Sequence, residues 1–114
     1  MKIQGPISVS VQDDDVQAKR TLEIDFTEAF QQNTHEQQVS ELKSYIQSLF
    51  QSAQSLPEGQ ADREGILLIM QVCEQLLPLL QQQELDLAET ISLEMGLASL
   101  TPEISVALSD FNIN

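Results

Sequence analysis

The stretch that decides the fold is Val39–Leu80, VSELKSYIQSLFQSAQSLPEGQADREGILLIMQVCEQLLPLL. Within it Val39, Leu42, Ile46, Leu49 and Ala53 recur at alternating steps of three and four, and so do Ile66, Ile69, Cys73, Leu76 and Leu80. That spacing puts each set on one face of a helix. Ser55-Leu56-Pro57-Glu58-Gly59-Gln60 separates them with both Pro and Gly, so the two segments read as an antiparallel helical hairpin closed by a short loop. Asn33 or Thr34 caps the first helix, with Asn33 and Glu36 in capping-box spacing, and the helix ends near Ser52–Gln54. Asp62 is the expected cap of the second.

The second helix carries more apolar surface than one partner covers. Leu68, Val72 and Leu79 lie away from the seam that faces the first helix and are the candidate interface residues. Pro78 lacks an N–H and is expected to kink or divide the helix at Glu74. Asp86 and Glu89 then stand in capping-box spacing before Leu87, Ile91 and Met95, which predicts a short third helix stopped by Gly96.

Toward the N-terminus the period changes from 3.6 to 2. Ile7-Ser8-Val9-Ser10-Val11 and Leu22-Glu23-Ile24-Asp25-Phe26 alternate as half-buried strands do, with Asp13-Asp14-Asp15 in the charged connection between them. A two-stranded ribbon is marginal alone and has to lie on the helices or pair further. Ile104-Ser105-Val106-Ala107-Leu108 alternates in the same way and is a candidate returning strand, against the alternative of a flexible tail.

Composition bounds what this architecture does. The chain has 114 residues, 41% of them apolar but only 4% aromatic, so the core is aliphatic. Five basic against 18 acidic residues give a formal net charge of −13. Such a field repels phosphate backbones and anionic lipid, so no nucleic acid and no membrane partner is expected, and a basic protein partner is favoured. The N-terminus lacks the apolar core of a signal peptide and no apolar run nears the about 18 residues of a membrane span, which makes the cytoplasm the default location.

Chemical signatures are absent. Cys73 sits alone in an apolar stripe, and His35 is the single histidine, so neither a zinc site nor a Cys/His nucleophile assembles. Asp13–Asp15 lacks the alternating ligands, turn glycine and distal Glu of a calcium loop. No glycine-rich phosphate loop occurs, and no cofactor is expected. Sixteen glutamines leave the polar faces less charged than usual, which lowers the desolvation cost of a contact.

The sequence thus predicts a single small α+β domain over residues 1–114. A β-hairpin region (1–30) packs on an antiparallel helical hairpin with a short third helix (33–95), and 97–114 form a C-terminal strand or tail. The expected function is that of a non-enzymatic adaptor or regulatory protein acting through protein–protein contacts, as a homodimer. The alternative is a small-ligand or metal-binding module with a pocket between strands and helices around Phe26, Phe30, Met70 and Leu77. A third reading is a hydrolase or transferase subunit completed across a dimer interface through His35.

Overall fold

The two N-terminal segments with period-2 alternation form strands, and both run further than their apolar cores. In the computed structural model, which describes residues 5–14, 19–95 and 100–109, β1 spans Ile7–Asp14 and β2 spans Lys19–Phe26. They pair antiparallel from Ile7 opposite Phe26 to Asp14 opposite Lys19. The acidic run is therefore not all loop: Asp13 and Asp14 belong to β1, in register with Arg20 and Lys19. Asp15 lies outside the described residues.

Three helices follow: α1 (Glu28–Gln32), α2 (His35–Gln54) and α3 (Ala61–Gln81). The sequence reading omitted α1, although Thr27 caps it through its hydroxyl, which accepts from the Phe30 N–H at 3.3 Å. Phe26, the last residue of β2, stacks on Phe30 with ring centroids 5.2 Å apart. For α2 the cap is Thr34, not Asn33, and the box closes on Gln37 rather than Glu36. Among the described residues Gln38 is the one polar side chain in the core: its amide donates to the carbonyls of Phe30, Gln31 and Asn33, the open end of α1.

The loop between α2 and α3 turns at Gly59, whose φ of +83° is left-handed and strained for any side chain. Gln60, not Asp62, occupies the α3 cap without a side-chain bond. Asp62 and Glu64 sit instead in the first turn, where carboxylates oppose the positive end of the helix dipole. Pro78 does not divide the helix, which runs through it to Gln81. Pro78 and Glu74 both face solvent, so the carbonyl that loses its helical donor is on the wet side of the helix. α3 ends in two reversed bonds, Gln83 N–H to the Leu80 carbonyl and Glu84 N–H to the Leu79 carbonyl, with Gln83 at φ 58° where glycine is usual.

The last two elements exchange the expected types. Ile91–Met95 is a strand, β3, antiparallel to β2, with Leu22 opposite Leu93 and Ile24 opposite Ile91. Asp86 makes a turn, its carboxylate accepting from the Ala88 N–H at 3.0 Å, instead of capping a helix. Pro102–Ser109 is a helix, α4, and not a strand. Thr101 caps it by accepting from the Ile104 N–H at 3.3 Å, and Pro102 fills the first helical position. Its inner face carries Ala107 and Leu108, while Val106 stands 68% exposed. Gly96 and residues 110–114 lie outside the described residues.

The architecture is α+β: a three-stranded antiparallel sheet, order β1-β2-β3, with α2 packed on α3, and α4 against α3 and β1. Ile7, Val9, Leu22, Ile24 and Phe26 from the sheet share one core cluster with Leu42 and Leu49 of α2 and Ile66, Ile69, Cys73, Leu76 and Leu80 of α3. Both seam stripes are buried or half-buried throughout. At the edge of this core, the backbone of Gly5 lies so close to the Tyr45 ring that a Cβ there would overlap it.

Two stability measurements check this packing. Leu49→Ala and Leu76→Ala each cost about 2–5 kcal/mol in urea unfolding, and losses near zero at both sites would show that the seam is elsewhere. Gln38→Ala removes the side-chain donor from the carbonyls of Gln31 and Asn33, while that of Phe30 keeps the Asn33 N–H, and costs about 1–3 kcal/mol. Gln38→Glu is worse at neutral pH, because a carboxylate there faces three carbonyl oxygens. Its folded-state pKa lies above the unfolded value of about 4.3, so stability is recovered below that pH and lost as pH rises. Equal stability of the two variants from acid to neutral pH contradicts the network.

Candidate protein interaction surface

The helical hairpin has two flanks beside its seam, and residue spacing assigns each. On α2, Val39, Lys43, Ile46, Gln47 and Phe50 follow at i, i+4, i+7, i+8 and i+11, one stripe adjacent to the buried one. On α3, Met70, Glu74, Leu77 and Gln81 repeat the pattern at i, i+4, i+7 and i+11. Because the helices are antiparallel, these stripes meet along a single groove.

The groove has two hollows, both open to solvent. One, of about 520 Å³, lies between Ile46, Gln47, Phe50 and Gln51 of α2 and Met70 and Glu74 of α3. The other, of about 440 Å³, lies at the opposite end, where Gln81 of α3 faces His35, Glu36, Val39, Ser40 and Lys43. Phe50 is 48% exposed, an unusual state for a large aromatic. The polar lining mixes the amides of Gln47, Gln51 and Gln81 and the Ser40 hydroxyl with His35 and three ionised groups, Glu36, Glu74 and Lys43.

His35 is held at the end of this groove. Its Nε2 lies 2.8 Å from the carbonyl of Leu80, which only accepts, so Nε2 carries a proton and donates. The bond ties the first turn of α2 to the last turn of α3. Among the described residues, no group of three or more His, Cys, Asp or Glu side chains is placed to hold a metal ion, and no helix is long and apolar enough to cross a membrane.

The residues marked in the sequence as interface candidates lie on the other flank of α3. Val72 is 5% exposed and belongs to the core, Leu68 is half-buried against it, and Leu79 is 39% exposed. The second apolar face is therefore covered in large part from within, and α4 is the element that docks on α3. Of the residues named for a ligand pocket, Phe26 and Phe30 fill core space against each other, Met70 and Leu77 are half-buried against that core, and Met70 lines the outer groove. Phe50 was missed, although Val39, Ile46 and Phe50 already form an apolar row at i, i+7 and i+11.

Comparison of the chain with protein-family models, curated proteins and solved structures gives no match. The surface itself has to carry the functional argument.

Cys73 bears on that argument because it is the one thiol. It is fully buried, and burial, with a smaller contribution from the Glu74 carboxylate, pushes its pKa from 9.0 up to about 12. Burial, and then the neighbouring Cys73, likewise raise the Tyr45 phenol. Both groups stay protonated in the folded chain at pH values where the unfolded chain ionises them, so stability is full below about pH 9 and is lost as pH rises above it. In urea titrations the unfolding midpoint falls above pH 9, and less steeply in Cys73→Ala. An aromatic disulfide reagent leaves the native thiol unmodified and reacts on unfolding; rapid labelling of the native protein would contradict the burial.

Proposed function

We propose that the protein is a non-enzymatic adaptor, a homodimer of the cytoplasm, and that its α2–α3 groove receives a basic amphipathic helix of a partner protein. The observation that carries this reading is the half-exposed Phe50, grouped with Ile46 and Met70 in an open hollow on a chain of net charge −13. A helix bound in a groove presents anchors at i, i+3, i+4 and i+7. From His35 to Gln51 the groove runs roughly 24 Å at 1.5 Å per residue, the length of a helix of about 16 residues.

Charge selects the partner. The protein's field attracts a cationic segment over several ångströms and repels phosphate backbones, so nucleic acid is not the ligand. In the groove itself Gln47, Gln51 and Gln81 lose less on desolvation than ionised side chains would. His35 is engaged with a main-chain carbonyl, and Cys73 is buried and protonated, which supports a role in contact rather than in catalysis. The volumes of the two hollows, within the roughly 300–1,000 Å³ of small-molecule sites, favour a small-ligand module as the second reading.

A fluorescent Leu/Lys amphipathic helical peptide, with a Leu/Glu peptide as control, tests the groove. The cationic peptide binds and the acidic one does not, and binding weakens with salt. Phe50→Glu lowers the affinity on the order of 10- to 30-fold. That substitution adds negative charge, so attraction of a cation to an acidic surface alone would strengthen, and unchanged or tighter binding to a folded Phe50→Glu protein refutes the groove.

A further inference from the structure

The two edges of the sheet differ. α4 packs against β1 at one edge, whereas β3 at the other is hydrogen-bonded, among the described residues, to β2 alone. On the inner face Leu22 and Ile24 of β2 are completely buried, yet their partners Leu93 and Ile91 on β3 are only half-buried, and so is Met95. Three apolar side chains in a row thus lie at the boundary of the core. Sheets guard such an edge with charged side chains, proline, a bulge or a short strand. β3 reads Ile-Ser-Leu-Glu-Met and pairs with β2 in unbroken register, so it has neither proline nor bulge, and of its five side chains Glu94 alone is charged.

We propose that β3 pairs antiparallel with β3 of a second copy about a two-fold axis at Leu93, joining two sheets into one of six strands. The proposal rests on the homodimer reading above and assigns its surface. Self-pairing of one strand about a two-fold axis is isologous and needs no second patch. The centred register sets Ile91 opposite the partner's Met95 and Ser92 opposite the partner's Glu94, with Leu93 at the axis. A slip of one residue would turn apolar side chains to the polar face. A two-residue slip in one direction opposes the two Glu94 carboxylates, and in the other it removes Met95 from the ladder. Only the centred register keeps five residues paired, like faces together, and carboxylates apart.

Charge at Ser92 reads that register directly. In analytical ultracentrifugation wild type forms a dimer, which salt tightens because two chains of −13 repel. Ser92→Lys sets an ammonium against the partner's Glu94 at both ends of the ladder and tightens the dimer, while Ser92→Glu sets a carboxylate there and weakens it, each by roughly 2- to 30-fold. Ser92 also lies opposite Glu23 within the chain, so thermal unfolding of the diluted monomer separates any change in fold stability from a change in pairing. In a Cys73→Ala background, a Ser92→Cys chain mixed with a Glu94→Cys chain gives a disulfide-linked dimer faster than either chain alone. A dimer whose constant is the same in all three proteins and whose mixed cysteines do not cross-link overturns the β3 pairing and leaves the homodimer standing on another surface. Wild type that stays monomeric at high concentration and high salt overturns both.

Discussion

A helix that is apolar on more sides than one neighbour can cover constrains everything around it, and α3 is such a helix. Ile66, Ile69, Cys73, Leu76 and Leu80 form its seam with α2, and Val72, on another side, is buried as well. Burying an aliphatic side chain is worth about 1.5–3 kcal/mol, against about 1 kcal/mol net for a hydrogen bond. Six such side chains outweigh any directional contact in the molecule. The requirement is therefore that the chain return to α3 after leaving it, and α4 is the return: it reaches both α3 and β1 and closes the layer that the sheet and the hairpin leave open.

Directional bonds then decide how the elements join rather than whether they do. Side chains that donate to main-chain carbonyls far along the chain or at an element's end hold these joints. Gln38 closes α1, His35 ties α2 to the end of α3, and Arg20 of β2 reaches the carbonyl of Leu100 just before α4. Helix ends and loop turns leave carbonyls without helical donors, and these are where such bonds are needed. Each fixes a junction that packing alone would leave free to slide, and a buried carbonyl that loses its donor costs more than the bond gained.

The helical hairpin and the N-terminal strands were legible because their periods do not overlap. Steps of three and four over fifteen residues exclude a strand, and Leu22, Ile24 and Phe26 with polar residues between exclude a helix. The errors fall where the periods coincide. Ile91 and Met95 are four apart, a distance common to both, and the deciding residues are Leu93 at i+2, apolar, and Glu94 at i+3, polar, which together mean a strand. Ile104 and Leu108 are also four apart, with Val106 and Ala107 both apolar between them, so periodicity is silent there. The choice lay in Thr101-Pro102-Glu103, a cap, a first-turn proline and an acid, which is a helix start. As a helix, this segment docks on α3. The groove was half legible. Its apolar row on α2 is in the sequence, but which of two neighbouring stripes is buried depends on where the sheet lies.

Charge and apolar surface are separated on this molecule, and the separation assigns them different parts in any contact. Acidic residues outnumber basic ones by 13, yet the hollow at Phe50 is lined by Ile46, Phe50, Met70, Gln47 and Gln51, with Glu74 as its single ionised group. A field of that size acts at the range of the Debye length, about 8–10 Å in physiological salt, and so governs how often a charged partner arrives. In the proposed complex the apolar side chains of the groove contribute contacts whose strength salt barely alters, and these set how long the partner stays. The proposed β3 pairing inverts this. Two copies repel on approach, and such a pairing has to recover that cost through main-chain bonds and the side chains of Ile91, Leu93 and Met95. For the two proposed contacts ionic strength therefore acts in opposite directions, against a basic partner and in favour of self-association, because one net charge acts on both.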